Sequence, residues 1–294
     1  MPSVSVGICA YNEEGNLLPC LESVSSEALS GFELIEVLVV SSGSTDRTNE
    51  IASEYEKKDR RVRLVVQQER KGKNAAINLF MTLAKGDVLV LVNADNRLTP
   101  GCLQALLEPF RDPSVGVAGG HPVPTNSKDS FSGFAVHMLW DMHHRVALID
   151  PKIGELMAFR PLGIVLPEGT QSDEDIIRME SEKRGLRTVY MPGAVVNNRG
   201  PGDIGDFFRQ RVRVNIGERY MRKWYGVRFA TWDIGSLMRA YAGFASDNRR
   251  HPIGILVAVL MEIGSRAYAS LHVALNKGDQ PVWEQVRSTK DLGR

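Results

Sequence analysis

Cysteine is scarce: Cys9, Cys20 and Cys102 are the only three in 294 residues. An odd, scattered set without a C-x-x-C pair builds neither a disulfide framework nor a four-sulfur zinc site, and it points to a reducing compartment. Net charge is nearly absent too. Lys plus Arg number 36 against 35 Asp plus Glu, a formal +1, so no global field gathers nucleic acid and no such partner is expected. Long apolar runs are missing: the longest unbroken one, 253–261, stops at Glu262, well short of the ~20 residues a spanning helix needs. The start, Met1-Pro2-Ser3-Val4-Ser5, carries no basic segment followed by an apolar one, so no secretory leader is read and the expected location is cytoplasmic. With 27 Gly, 14 Pro and 43% hydrophobic residues, collagen-like and disordered classes are excluded.

What is present is an alternation. Short β-branched runs at 4–10, 35–40, 62–67 and 88–92 are each followed by a helical pattern, at 14–26, 46–55, 73–84 and 101–110. That order predicts an α/β fold with a mostly parallel sheet covered on both faces. Beyond it the sequence predicts a strand at 115–120, a turn at His121-Pro122-Val123-Pro124, a helix at 130–148 and a strand near 156–160. A helix from Asp173, a strand at 187–191 and a basic helix at 203–224 follow. Two more helices, 234–245 and 253–275, are separated by Pro252. Ile255, Val259, Ile263 and Ala267, spaced at i, i+4, predict a face packed on the domain; the competing reading is an interfacial helix at the inner face of a membrane. The expected organisation is a domain over 1–228, with a nucleotide half (1–120) and an acceptor half (121–228), and a helical extension over 229–294.

A parallel sheet binds ligands beyond the carboxyl ends of its strands, and there the chain is polar: Ala10-Tyr11-Asn12-Glu13-Glu14, Ser41-Ser42-Gly43-Ser44-Thr45-Asp46 and Asn93-Ala94-Asp95-Asn96. Tyr11 offers a ring face to a base, Glu13 a carboxylate to a ribose or base, and Lys73 a charge to a phosphate. Asp95 offers hard oxygen to Mg²⁺ or Mn²⁺. Taken singly, each cluster is also an ordinary helix start or turn; their order along one sheet is the signal. The acidic triplet Asp173-Glu174-Asp175 is the candidate for a general base. The stretch 207–228, which ends at Arg228, carries seven cations against Glu218, a local positive patch. His121, Trp140, Asp141, His143 and His144 are candidates for an acceptor pocket.

These stretches, with Arg70-Lys71-Gly72-Lys73-Asn74-Ala75-Ala76-Ile77-Asn78, Asp173-Glu174-Asp175 and Gln210-Arg211-Val212-Arg213, resemble glycosyltransferase family 2 over about residues 3–220. The resemblance implies a GT-A type fold and inverting transfer from a nucleotide-sugar, UDP favoured over GDP, to a saccharide or a lipid-linked hydroxyl or phosphate. The donor-binding residues it implies are Ala10, Tyr11, Glu13, Ser42, Lys73, Asn78, Asn93, Ala94, Asp95, Gln210, Arg211 and Arg213. Tyr11 and Glu13 would contact the nucleoside, Lys73 and Asn78 shape the pocket, Asp95 hold the metal, and Arg211 or Arg213 meet the diphosphate. Asp175 is the first choice of base, ahead of Glu174 and Asp173. The chain departs from the family's pattern in Ser41-Ser42, where two Asp are common, in Asn93 at the first Asp of Asp-x-Asp, and in Val214 for Trp. A catalytically silent nucleotide-sugar binder is the alternative those departures leave open.

Overall fold

The computed structural model describes residues 1–168, 172–227 and 229–275. Arg228 of the basic stretch and the part of the expected extension beyond 275 lie outside the described residues. The first half runs β1 (Ser3–Ala10), α1 (Leu17–Ser25), β2 (Glu33–Ser42), α2 (Thr48–Lys58), β3 (Val62–Gln67), α3 (Lys73–Leu83), β4 (Val88–Asn93), β5 (Arg97–Leu98) and α4 (Cys102–Leu107). The second half runs β6 (Val115–Pro124), α5 (Phe131–Ala147), β7 (Leu156–Phe159), α6 (Asp173–Glu182), β8 (Arg187–Asn198), α7 (Ile204–Tyr225), α8 (Ile234–Asp247) and α9 (Pro252–Ala274).

All eight strands form one sheet in the order β3-β2-β1-β4-β7-β6-β8-β5. Pairings β3–β2, β2–β1, β1–β4 and β6–β8 are parallel, so the expected parallel character holds for the nucleotide half. The short β7 enters antiparallel to both β4 and β6. Period-two patterning divides the core. Val4, Val6 and Ile8 with Val37, Val39, Val88 and Val90 face α1 and α4 through Leu17, Leu21, Leu103 and Leu106. Leu38, Val40, Leu89 and Leu91 face the other way, onto Ile77 and Phe80 of α3 and Ile176 and Ile177 of α6. Gly7 sits under Phe80, where an added Cβ would lie 2.6 Å from the ring. Gly7→Ala should therefore cost about 1–3 kcal/mol of stability through overpacking, read as a lowered melting midpoint with the overall fold retained.

Several sequence expectations shift. The segment expected as a turn at His121–Pro124 is the end of β6, paired to Val195–Asn198 of β8. Because Thr125 N–H points at the Asn198 carbonyl oxygen (2.9 Å), alternation turns Pro122 and Pro124 to the opposite side. There β7 has already ended, so their missing N–H groups break no ladder. Helix α1 begins three residues later than expected, because Asn12 adopts φ +51° and accepts from Thr45 N–H (2.8 Å) across the β2–α2 loop instead of capping its own helix.

The packed face of α9 also differs. It is Ile255, Ala258, Ser265 and Ala269 that are buried, whereas Ile263 is 58% exposed. An i, i+4 row rotates about 40° per step on a 3.6-residue helix, so the row from Ile255 to Ala267 winds out of the interface. Spacings of three and four keep the buried row in place. Helix α9 is, by length and composition, long and apolar enough to cross a membrane, which the unbroken-run criterion did not register because Glu262 and Arg266 interrupt it.

Candidate active site

A cavity of about 880 Å³ opens where β1, β2 and β4 end, walled by the first turns of α3 and α6 and by α5, α7, α8 and α9. Its size suits a nucleotide-sized ligand. At the end bounded by β1 and β2, Ala10, Tyr11, Glu13 and Ser42 all line it. The Tyr11 ring carries the Arg70 guanidinium at 3.9 Å from its centroid, a cation–π pair that holds the ring as a platform. Glu13 is anchored at both ends: its N–H donates to Thr48 Oγ1 (2.7 Å) and its Oε2 accepts from Asn16 Nδ2 (3.0 Å). Of the two serines that replace acids, Ser41 is fully buried and donates to Ser44 Oγ (2.9 Å). Ser42 leaves a buried hydroxyl with no hydrogen-bond partner in the wall. An acid at 41 would be sealed beneath the loop, so the hydroxyl there serves folding, while the one at 42 is a buried polar group behind the cavity wall.

The centre is charged. Lys73, at the start of α3 behind Gly72 (φ +89°), places Nζ 3.0 Å from Asp173 Oδ2 and 3.7 Å from Glu174 Oε1. Burial alone would depress this amine, but Asp173 before all, at 3.0 Å, outweighs it and holds Lys73 protonated, above its ordinary value. Burial, with Asp173 beside it, pushes Glu174 up to about 8. Asp175 is pushed up to about 6, again by burial, with Lys152 and Arg178 opposing. Lys152 itself is fixed on Glu218 (3.0 Å). The triplet is thus three acids in three settings. Asp173 is locked to a lysine, Glu174 is largely protonated at neutral pH, and Asp175 is ionised but with a proton affinity suited to a base.

Beside it, Asn93, Ala94 and Asp95 line the cavity with Glu155, a residue the sequence reading did not single out. Asn93 Nδ2 donates to Glu155 Oε2 at 2.6 Å. Glu155 lies in a tight turn at φ +35°, a left-handed conformation that costs a non-glycine residue strain, with Leu156 N–H donating to the Gly154 carbonyl oxygen across it. Burial first and the Asp95 charge second push Glu155 upward, against Asn93 and Lys73. Arg213 also lines the cavity, and burial lowers it to about 9 despite the pull of Glu155.

The far end is apolar. Met138, Leu139 and Met142 of α5, Leu237 and Met238 of α8, and Val259 and Ile263 of α9 continue the same wall. Trp140 and His143 stand between the two ends, ring centroids 5.3 Å apart. Burial drives the His143 imidazole down to about 3, so it is neutral.

Not every expected residue points inward. Asn78 does not line the cavity: its amide is spent on the backbone of Leu166, donating to the carbonyl oxygen and accepting from N–H, both at 2.8 Å. Arg211 borders the cavity, but its guanidinium grips Glu262 of α9 through Nε (2.8 Å) and Nη2 (3.1 Å). Gln210 remains in the wall. His121 and His144 stack on each other at 4.0 Å, with His144 Nδ1 on the Tyr190 hydroxyl (2.8 Å). Asp141 is paired with Arg145 (2.5 Å).

Known proteins resemble this one in parts. An N-acetylglucosaminyltransferase of Rhizobium leguminosarum bv. viciae is 27% identical over 237 residues, 72% of this chain and 55% of its own length. Glycosyltransferase GlyA of Streptococcus pneumoniae serotype 4 is 28% identical over 141 residues, 48% of this chain and 19% of its own. The chain therefore spans about half or less of the length of these curated relatives. Among solved structures, the mannosyltransferase PcManGT from Pyrobaculum calidifontis, in complex with GDP-Man and Mn²⁺, superimposes with a TM-score of 0.67 at 18% identity, covering 94% of this chain and 88% of that one. That likeness establishes the shared GT-A type architecture, C-terminal helices included. Residues 5–163, more than half of the chain, match the family described as Glycosyl transferase family 2, and the protein belongs to that family.

Proposed function

We propose that the chain is an inverting glycosyltransferase that moves a sugar from a nucleoside diphosphate sugar to an acceptor with a long apolar portion, a lipid-linked hydroxyl or phosphate. The observation that carries this reading is the continuity of one cavity, lined by charged Lys73, Asp95 and Arg213 in one part and apolar between α5, α8 and α9 in another. A free sugar acceptor would leave that apolar end without a ligand group to cover it.

In this reading Tyr11, Glu13 and Ser42 hold base and ribose. Lys73 and Arg213 face the diphosphate and stabilise the charge that grows on it as the glycosidic C–O bond breaks. The acceptor oxygen attacks the anomeric carbon from the opposite side, and Asp175 takes a hydroxyl proton where the acceptor carries one. The products are the inverted glycoside, the nucleoside diphosphate and protonated Asp175. The residues present fit a divalent cation: Asp95 and its neighbours offer hard oxygen in the cavity wall, and Mg²⁺ commonly takes one or two carboxylates together with substrate phosphates. Bound there, Mg²⁺ or Mn²⁺ would add positive charge against the leaving diphosphate.

The apolar end reaches the surface. Met238 and Ile263 line the cavity yet are each 58% exposed, and Ile253, Leu256, Leu260 and Leu271 extend the same exposed strip along α9. Arg249 and Arg250 flank it between α8 and α9. Such a strip with basic flanks supports peripheral contact with a bilayer surface, where a lipid-linked acceptor resides. The test is a melting-point screen of UDP, GDP, CDP and dTDP with and without Mn²⁺, followed by turnover of the matching sugars with a long-chain alkyl phosphate and with soluble saccharides. A metal-enhanced rise with one diphosphate and transfer to the alkyl phosphate are expected. Transfer to soluble saccharides alone would overturn the acceptor assignment, and no stabilisation by any diphosphate would favour the silent fold.

A further inference from the structure

We infer that Glu155 supplies the second carboxylate of the divalent-cation site, taking over across the sheet the place that Asn93 vacates. The inference rests on the donor reading above and assigns a ligand role to a residue outside the sequence motifs. Its basis is register. β4 and β7 pair antiparallel with Val92 opposite Leu156, so one step further Asn93 meets Glu155. The contact is made, Asn93 Nδ2 to Glu155 Oε2 at 2.6 Å. Two acids directly opposite on neighbouring strands repel. With Glu at 155, an amide at 93 is the compatible partner, and the pair keeps one carboxylate at the site instead of losing one.

Three further observations bear on it. Glu155, held by the Asn93 amide at Oε2, lines the cavity together with Asp95. The Glu155 backbone is held at φ +35°, strain of the kind that persists where a side chain must be aimed. Asn96 is fully buried, donates Nδ2 to the Glu155 carbonyl oxygen at 3.1 Å, and leaves its own Oδ1 with no hydrogen-bond partner. Asn96 thus braces the Glu155 turn from beneath, while Asp95 and Glu155 line the same cavity as Lys73 and Arg213, which would hold a diphosphate. A dication there would relieve the repulsion between the two acids and balance the phosphates.

The experiment measures Mn²⁺ binding by electron paramagnetic resonance on the full chain, in the presence of whichever nucleoside diphosphate raises its melting point, for the wild type, Glu155→Gln, Asp95→Asn and the double variant Asn93→Asp/Glu155→Gln. Glutamine keeps an oxygen for Asn93 Nδ2, so the turn is retained. Glu155→Gln is expected to weaken Mn²⁺ binding about 10–100-fold, while affinity for the diphosphate without metal stays the same or improves. The double variant, with its carboxylate moved back across the ladder, is expected to recover most of the Mn²⁺ affinity. Wild-type Mn²⁺ affinity in Glu155→Gln would overturn the inference and leave the donor assignment standing. No Mn²⁺ binding by the wild type would overturn both the cation site and this role, and weakening by Glu155→Gln without recovery in the double variant would overturn the exchange of positions.

Discussion

With a hydroxyl acceptor, Asp175→Asn is expected to lower turnover by about 10²–10⁴-fold, the usual contribution of a positioned general base, while the melting-point rise given by the stabilising diphosphate stays at its wild-type value. The argument is a comparison of three neighbours. Asp173 sits 3.0 Å from Lys73 Nζ, and its side chain is almost wholly buried in that pair. Glu174, pushed to about 8 by burial and by Asp173, carries a proton over most of the neutral range. Asp175, pushed to about 6 by burial against Lys152 and Arg178, is ionised at neutral pH and holds a proton more tightly than an exposed acid. A base must be unprotonated to act, so kcat/KM should fall about tenfold per pH unit below 6 and level off above it. An acid limb centred near 4, or full activity in the Asn variant, would remove Asp175 from the role. Should the acceptor prove to be a phosphate already ionised, the same variant would lose far less, which makes this measurement informative about the acceptor as well.

The nucleotide half was legible because its signals are local. Each central strand is buried on both faces and reads as a β-branched run, and each ligand-facing cluster follows its strand directly. Tyr11, Glu13, Lys73 and Asp95 could therefore be placed from strand ends alone. Glu155 was not legible. It sits in Gly154-Glu155-Leu156, which matches no motif, and its meaning depends on β7 entering beside β4 after more than sixty intervening residues. Asn78 and Arg211 were drawn toward the donor by motif position, but an amide and a guanidinium also satisfy distant backbone and carboxylate groups, and the sequence does not show that Leu166 and Glu262 are those partners. The apolar end escaped for the same reason: it is assembled from α5, α8 and α9, each of which reads alone as an ordinary amphipathic helix.

Glu262→Gln should cost about 3 kcal/mol of stability and weaken use of a long-chain acceptor more than binding of the donor. Glu262 accepts from Arg211 Nε at 2.8 Å and from Arg266 Nε at 2.7 Å, and it joins α9 to α7 midway along both helices. Asn215 on Ser265 (2.9 Å) and Arg219 on Ser270 (2.6 Å) continue the seam. Removing one partner of a buried ion pair leaves the other charge uncompensated, typically at about 3–5 kcal/mol; Arg211 is 9% exposed but the Glu262 side chain 30%, which places the cost at the lower end. Burial would raise Glu262, but Arg211 and Arg266 outweigh it and hold the carboxyl down at about 2 from 4.5. A carboxyl depressed on folding stabilises above its unfolded value and loses that contribution as pH falls through its folded one. The wild type should therefore lose about 3 kcal/mol between pH 4.5 and 2 from this group, and the Gln variant should lack that part of its acid dependence. Val259 and Ile263, one turn before Glu262 and one residue after it, line the apolar end of the cavity, so loosening the clamp moves that apolar wall while Tyr11 and Asp95, just past the ends of β1 and β4, and Lys73, at the start of α3, stay in place. A raised KM for the alkyl phosphate with an unchanged diphosphate melting shift is the expected split. Equal loss of both would mean that α9 supports the whole site, and no loss of stability would mean that water reaches Arg211 and solvates it once Glu262 is gone.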